Sequence, residues 1–236
     1  IFMIEFAKHM NKEPFVPLIE FRKDFNNYYL IFDAPRISSS ITLRQYLINE
    51  YGPSSGQSSN SPPTSSKTLP DFSYCLDQII SLLDFLLQCK QKLIITPDSI
   101  FVDKETGKFS HVFVNQLNSN FTFDSDDIIA NFTAPEFLTS STSANQSTLN
   151  SWMLGVFIYF FYSKGNMPFV GETVEALHKQ ILTGRPDFSA ITFLPEQHTH
   201  TEVQEFRVLN IDDIKTALDK LLVKNPQMRM STNAVK

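Results

Sequence analysis

The sequence predicts a mixed α+β fold in which strands come early and helices make up most of the rest. Two short apolar runs, 15–21 and 28–32, lie close together near the start and are typical of paired strands. Further along, apolar residues recur at helical spacing over long stretches, most clearly in 71–87 and 152–162. Strand and helix signals that occupy different parts of the chain are typical of the α+β class.

The composition is that of a folded domain and excludes two classes of partner. The chain has 236 residues, of which 42% are hydrophobic, enough for one large domain or two small ones. Its net charge of −5 supplies no basic field for nucleic acid. The longest apolar run, 152–162, is shorter than the ~18 residues that a membrane span requires. We therefore expect neither a nucleic-acid partner nor a membrane span.

The two cysteines, Cys75 and Cys89, are too few for a disulfide scaffold. They lie fourteen residues apart on one predicted helix. That separation is about 21 Å at 1.5 Å per residue, which is too far for a disulfide. A reducing, cytoplasmic setting is expected.

Residues 1–68 are predicted to contain two helices, two strands and one long insertion. Residues 1–12 have helical periodicity that stops at Glu13-Pro14, and the two strands follow, joined by a turn at 24–27. A helix is predicted at 41–50. The low-complexity stretch 52–68, rich in Ser and Pro, has little to pack and is predicted to be a disordered insertion. An ordinary linker is favoured there over a phosphorylation site.

The chain after this insertion is predicted to be mainly helical. Asp71 opens a long amphipathic helix, and a hairpin at 103–107 leads into a strand at 108–114. Three helices then follow, of which the first is apolar nearly all round, the second ends at Gly184 and the third begins with acidic residues. They are predicted at 152–162, 172–183 and 211–223.

Several polar groups that could suggest a site are interpreted as surface features. Asp124, Asp126 and Asp127 are predicted to form a solvated turn. His198 and His200 have no third ligand at suitable spacing, so no metal site is predicted. The sequons at Asn120, Asn131 and Asn145 are expected by chance in a chain rich in Asn, Ser and Thr.

Three motifs in the second half occur in a fixed order. They are Thr133-Ala134-Pro135-Glu136, then Asn150-Ser151-Trp152-Met153-Leu154-Gly155, then Leu221-Leu222-Val223-Lys224-Asn225-Pro226-Gln227-Met228-Arg229. The first resembles the Ala-Pro-Glu that closes the activation segment of protein kinases. The second is similar to the family's Asp-x-Trp-x-x-Gly, with Asn150 at the Asp position, and the third to Leu-Leu-x-x-x-Pro-x-x-Arg. The ordered set resembles the large lobe of a protein kinase. The loops at 168–173 and 181–188 are similar to loops of serine/threonine kinases.

The resemblance implies a kinase-like fold that covers nearly the whole chain. Residues 1–35 would be part of the small lobe, from its αC helix through two strands to the hinge. Residues 36–236 would be the mostly helical large lobe, interrupted by the insertion at 52–68. The glycine-rich loop and the strand lysine of the family would lie upstream of the first residue.

The resemblance also assigns positions around the nucleotide pocket. Glu5 would be the αC glutamate, although its spacing is off by about one residue and a surface role fits equally well. Phe32 would be the gatekeeper, and Asp33 and Pro35 would belong to the hinge. Because proline has no backbone N–H, ATP would lose one of its hinge hydrogen bonds at Pro35.

The catalytic positions depart from the family's pattern. Active kinases have His-Arg-Asp, four residues and then Asn, where the Asp accepts the substrate's proton and the Asn holds a magnesium ion. Aligning 97–102 on the family's Pro-Glu-Asn-Ile-Leu-Leu places Ile94 at the catalytic Asp, Thr96 at the loop Lys and Ser99 at the metal-binding Asn. Asn115 falls in the Asp-Phe-Gly region and brings no negative charge to a metal ion.

The structural positions of the family are retained. The resemblance predicts a buried, partly bidentate ion pair between Glu136 and Arg229, and it predicts that Trp152 packs under the end of the activation segment. Trp152 and Gly155 would be structural residues of a buried central helix.

The function implied is that of a pseudokinase: an inactive kinase-like domain that acts as a scaffold or allosteric partner of another kinase or signalling protein. No cofactor is expected beyond weak or metal-independent ATP binding. One alternative is an atypical but active ATP-dependent serine/threonine kinase. A second alternative is an unrelated α+β domain in which the motifs arise by chance.

Overall fold

The structure, a computed structural model, confirms a mixed α+β fold that is mostly helical. It describes the chain in nine stretches, namely 18–25, 28–32, 40–51, 72–88, 94–103, 109–112, 127–139, 144–191 and 210–235. The predicted first helix, the insertion at 52–68, the acidic positions Asp124 and Asp126, Cys89 and the pair His198 and His200 lie outside the described residues.

The described strands form two small antiparallel sheets. The strands are β1 (Leu18–Lys23), β2 (Tyr28–Phe32), β3 (Ser40–Thr42), β4 (Ile100–Asp103) and β5 (Phe109–Val112). The described α-helices are α1 (Leu43–Tyr51), α2 (Phe72–Gln88), α3 (Asp127–Phe132), α4 (Pro135–Leu138), α5 (Gln146–Tyr162), α6 (Val174–Thr183) and α7 (Ile211–Leu221). In this part of the chain, no helix combines the length and the apolar character that crossing a membrane would need.

The early apolar runs form the hairpin predicted for them. Strand β1 pairs with β2, with Phe21 opposite Leu30 and Arg22 opposite Tyr29, and the register shifts between Leu18 and Glu20. The described part of the first strand runs two residues further along the chain than predicted. The residues that pair in this hairpin all lie between positions 18 and 32.

The second sheet corrects the predicted start of the helix at 41–50. Ile41 and Thr42 belong to β3, which pairs with β4 through Ile41 opposite Val102. The helix begins at Leu43 because the Thr42 hydroxyl accepts the backbone N–H of Gln45 at 3.2 Å, as a helix cap does. Strand β4 continues the sheet to β5, which confirms the predicted hairpin.

The core is centred on α5. All residues of this helix from Leu149 to Tyr162 are buried, as its apolar character on all sides predicts. It begins at Gln146, before the predicted start at 152, because Asn145 caps it by accepting the N–H of Thr148 at 3.0 Å. Asn150 therefore lies within the helix and not at its opening.

Two helices pack against this buried helix. The apolar stripe of α2 includes Cys75, Ile79, Leu83 and Leu86, all at most 1% exposed, and α2 contacts α5. Helix α7 contacts α5 as well. Cys75 is buried and forms no disulfide with another described residue.

Gly155 lets α5 and α7 approach closely. A Cβ at this position would lie 2.8 Å from Leu222 Cδ2 and 2.9 Å from Leu221 Cβ. We expect Gly155→Ala to lower the free energy of unfolding by about 1–2 kcal/mol, because the destabilisation by overpacking exceeds the stabilisation from the higher helix propensity of alanine. Urea denaturation would measure the change, with Ser147→Ala on the exposed start of the same helix as a near-neutral control. A more stable Gly155→Ala variant would contradict the close packing.

The remaining helix boundaries differ from the predicted ones for local reasons. Helix α6 begins at Val174 because the Thr173 side chain caps it by accepting the N–H of Ala176 at 3.2 Å. Gly184 ends this helix as predicted, but its backbone is extended at φ −74° and not left-handed. A Cβ there would lie 2.7 Å from the Gln180 carbonyl oxygen, so close approach explains this glycine.

Two further boundaries correct the predictions. The closing helix ends at Leu221 and not at residue 223. Leu222 is its C-cap, and the Leu222 N–H donates to the Leu218 carbonyl. Asp127 is the exposed first residue of α3 and not part of a turn. Its position in the first turn suits the helix dipole.

Candidate functional site

The loop between α2 and β4 has buried apolar side chains at positions where the resemblance places catalytic groups. Ile94 is 3% exposed and Ile95 is fully enclosed in the core. The Ile95 N–H donates to Met153 Sδ at 3.5 Å, which ties the loop to α5. An isoleucine side chain has no atom that accepts a proton, so the position assigned to the catalytic aspartate has no basic group.

The hydroxyl groups of this loop contact each other. Thr96 Oγ1 and Ser99 Oγ lie 3.4 Å apart, and both residues are buried. The Ser99 N–H donates to the Thr96 carbonyl at 2.9 Å and closes a 3₁₀ turn. The Ser99 hydroxyl is therefore held within the loop, and a neutral hydroxyl is a weaker magnesium ligand than a carboxylate.

Asp98 is the one carboxylate among the described residues 94–99, and it lies beside β3 and the first turn of α1. Its oxygens lie 3.4 Å from Arg44 and 3.5 Å from the Thr42 hydroxyl. The Asp98 and Arg44 side chains are 40% and 45% exposed, so this pair contributes little to stability. The sequence did not point to this contact, because 54 residues separate the two charges.

The other positions assigned to the nucleotide pocket are only partly described. Phe32 is the last residue of β2 and pairs with Leu18 in the hairpin. Glu5, Asp33, Pro35 and Asn115 lie outside the described residues. Among the stretches that the structure describes, no three His, Cys, Asp or Glu residues lie close enough together to hold a metal ion.

Glu136 and Arg229 form the predicted bidentate ion pair. The Arg229 Nη1 donates to Glu136 Oε1 at 2.7 Å, and Nη2 donates to Oε2 at 2.9 Å. The side chains are 2% and 1% exposed. Arg229 also donates to the carbonyls of Thr148 at 2.7 Å and Val223 at 3.0 Å. The guanidinium therefore joins α4, the first turn of α5 and the segment after α7.

The ion pair sets the charge state of the Glu136 carboxyl. Burial raises the pKa of Glu136, but the hydrogen bonds and positive charge of Arg229 outweigh that effect and hold the pKa below its usual range. The pair is thus charged at neutral pH. Its geometry is that of a structural clamp between distant segments, because both oxygens of the carboxylate are occupied.

Trp152 contacts Phe169, Asn131 and Arg229, and these four residues form what is called the junction below. Its ring stacks on Phe169 with centroids 5.7 Å apart and planes 6° apart. Its Nε1–H donates to the Asn131 carbonyl at 2.7 Å. The Arg229 guanidinium lies 5.2 Å from the centre of the indole. Trp152 therefore connects α5 to α3, which precedes the Ala134-Pro135-Glu136 motif.

Asn131 is a structural residue that the sequence analysis missed. It is fully buried. Its Oδ1 accepts the N–H of Phe169 at 3.1 Å, and its Nδ2 donates to the carbonyls of Phe169 at 3.1 Å and Asp127 at 2.9 Å. The side chain thus pairs with the main chain of a loop 38 residues away. In the sequence, its one signal was a sequon, which its burial makes inaccessible in the folded chain.

Asn150 and Lys224 are two more polar residues enclosed near the core. The Asn150 Nδ2 donates to the Leu83 carbonyl at 2.6 Å and so ties α5 to α2. The Lys224 Nζ is enclosed, lies 3.9 Å from the centre of the Phe169 ring, and has no hydrogen-bond partner among the described residues. Burial, followed by the charge of Arg229, lowers the pKa of Lys224 to about 8.

Comparison with known proteins supplies no relative from which a function could be transferred. No protein-family model matches this chain, and no curated protein matches its sequence.

Proposed function

We propose that this chain is a protein kinase-like domain without phosphotransfer activity, which acts by binding another kinase or a signalling protein. The observation that carries the proposal is a contrast within the structure. The clamp formed by Glu136 and Arg229 is complete, whereas the position assigned to the catalytic base is a buried isoleucine, Ile94.

The order of the described elements supports the kinase-like part of the proposal. A long helix, α2, precedes the loop at 94–99, and two paired strands, β4 and β5, come after it. The Ala134-Pro135-Glu136 motif then precedes the buried helix α5, and α6 and α7 follow α5. This is the order in which protein kinases place the catalytic loop, the activation segment and the large-lobe helices.

The chemistry of the loop supports the inactive part of the proposal. Phosphoryl transfer depends on positioning and on electrostatic stabilisation by an aspartate base and by magnesium ligands. Ile94 has no proton acceptor, and the Ser99 hydroxyl is engaged by Thr96. Without these groups, binding of a protein partner is the function that such a scaffold retains. A cytoplasmic setting is part of this proposal.

The alternative is an active kinase that uses an unusual base, and Asp98 is the observation that favours it. Its carboxylate is 40% exposed and lies in the same loop, four residues after Ile94. Its contacts with Arg44 and Thr42 are long enough to exchange for contacts with a substrate. Any such activity should be lost in Asp98→Asn.

Nucleotide titration of the natural full-length chain tests the proposal. We expect ATP to raise the melting temperature by less than about 2 °C, equally with and without Mg²⁺, and we expect no transfer of labelled phosphate to a protein or peptide substrate. A ligand at 100 times its Kd would stabilise the fold by about 2.7 kcal/mol, which corresponds to roughly 5–11 °C for a domain of this size.

The matched control is Asp98→Asn, which changes one exposed carboxylate. A magnesium-dependent shift of 5 °C or more, together with phosphate transfer that Asp98→Asn abolishes, would replace the proposal with the active alternative. Transfer that persists in Asp98→Asn would also overturn the inactive assignment.

A further inference from the structure

The junction around Trp152 contains a charged group that the proposed function does not use. Lys224 follows α7 by three residues, and its side chain folds back over the Trp152 and Phe169 rings. Its Nζ has almost no exposed surface and no hydrogen-bond acceptor in the described part of the chain. An ammonium group has three N–H donors, and enclosing them without acceptors is costly.

The surroundings of this ammonium only partly offset that cost. Nζ lies 3.9 Å from the centre of the Phe169 ring and 5.1 Å from that of Trp152, so both ring faces attract the positive charge. Arg229 lies over the same indole and repels it. The Glu136 carboxylate, the partner of Arg229, has both oxygens bound to that guanidinium.

We infer that Lys224 is a pH-responsive group built into this junction, which loosens the contact with Trp152 and Phe169 when it is protonated and tightens it when it is neutral. The neutral amine needs no counter-charge and packs against the rings as an apolar stem with one small polar end. The protonated amine is more stable in water than in the enclosure, and the four-carbon stem of lysine is long enough to let it reach water. The inference does not depend on the kinase-like proposal.

The direction of the pH dependence follows from linkage. The pKa of Lys224 is lowered to about 8 in the fold, by burial first and by Arg229 second, from an ordinary value of 10.5. Between those two values the unfolded chain binds more protons than the folded chain, so stability rises with pH across this window. Below about pH 8 both states are protonated and the penalty is fully present.

Trp152 reports on this group directly, because it is the single tryptophan of the chain. We expect its fluorescence to show a transition with a midpoint near pH 8. We also expect the folding equilibrium constant to rise by roughly tenfold to a hundredfold between pH 7 and pH 9.5, which is less than the full linkage because pH 9.5 is still below the unfolded-state pKa of 10.5.

Two methionine variants isolate the contribution of Lys224. Lys224→Met keeps the length of the stem and removes the charge, so the fluorescence transition should disappear and the variant should be more stable than the wild type at pH 7. Lys220→Met removes an exposed lysine at the end of α7 and should keep the wild-type transition. Thiols and the terminal amine titrate in the same window, but they are present in both variants.

Several results would overturn the inference. The same fluorescence transition in Lys224→Met would assign it to another group. A flat wild-type response between pH 6.5 and 9.5 would show that the amine does not titrate there, and this measurement needs no variant. If Lys224→Met does not fold, Lys224→Gln serves as the second neutral variant, and loss of the junction in both would contradict a destabilising charge.

Discussion

Replacing Arg229 with methionine is expected to lower the free energy of unfolding by about 3–5 kcal/mol, because the Glu136 carboxylate would remain buried without a partner. The two charges are joined by hydrogen bonds of 2.7 and 2.9 Å, and both side chains are at most 2% exposed. The substitution also leaves the Thr148 carbonyl without its donor from Arg229. Urea denaturation of the two proteins measures the difference.

A double-variant cycle separates the ion pair from the general effect of burial. Glu136→Leu combined with Arg229→Met removes both charges, and the combined loss should be smaller than the sum of the two single losses. Arg185→Met, at an exposed arginine after α6, serves as the matched control and should change stability by less than about 0.5 kcal/mol. Additive single effects, or a loss below about 1 kcal/mol in Arg229→Met, would contradict a coupled buried pair.

The same pair has a signature at acidic pH. The pKa of Glu136 is held below its usual value near 4.5, since the Arg229 interactions outweigh the opposing effect of burial. A lowered folded-state pKa contributes stability that is present above the unfolded-state pKa and is lost as the pH falls through the folded-state pKa. Stability of the wild type should therefore fall more steeply below pH 4.5 than that of Glu136→Gln.

Asn131→Ala is expected to cost about 2–4 kcal/mol, the second large effect. It removes the partner of both the N–H and the carbonyl of Phe169, and these groups are buried. It also leaves a small cavity beside the stacked Trp152 and Phe169 rings. Chemical denaturation gives the magnitude, and a red shift of Trp152 emission would show that the junction has loosened.

Two further variants sharpen this test. Asn131→Asp keeps an acceptor for the Phe169 N–H but loses both donated hydrogen bonds and buries a charge, so it should be at least as destabilising as Asn131→Ala. Asn233→Ala, at an exposed asparagine near the end of the described chain, should be neutral within about 0.5 kcal/mol. An Asn131→Ala protein with wild-type stability and emission would show that the loop is held by other contacts.

The parts of the fold that the sequence predicted are those in which one segment carries its own signal. The apolar surface of α5 on all sides predicted a fully buried helix, and the stripe on α2 predicted the face that packs against it. The ion pair of Glu136 and Arg229 was predicted through the kinase resemblance and not from spacing, since 93 residues separate the two charges. The boundaries at Leu43 and Val174 were missed because each depends on a threonine cap.

The residues that the sequence analysis missed are polar groups whose partners come from distant segments. Nothing near Asn131 in the sequence indicates the Phe169 main chain, and nothing near Lys224 indicates two aromatic rings. Asn150 appeared as a degenerate motif position, yet its amide binds the Leu83 carbonyl. Such contacts arise from the convergence of segments and have no local pattern.

By itself, the sequence determined the class of each main element, the order of its motifs and the absence of a carboxylate at Ile94, because periodicity and residue identity are properties of a single segment. Only the tertiary structure decided which polar groups are enclosed and what they contact. Burying apolar surface requires no particular partner, whereas a buried hydrogen bond or charge requires one specific group at about 3 Å.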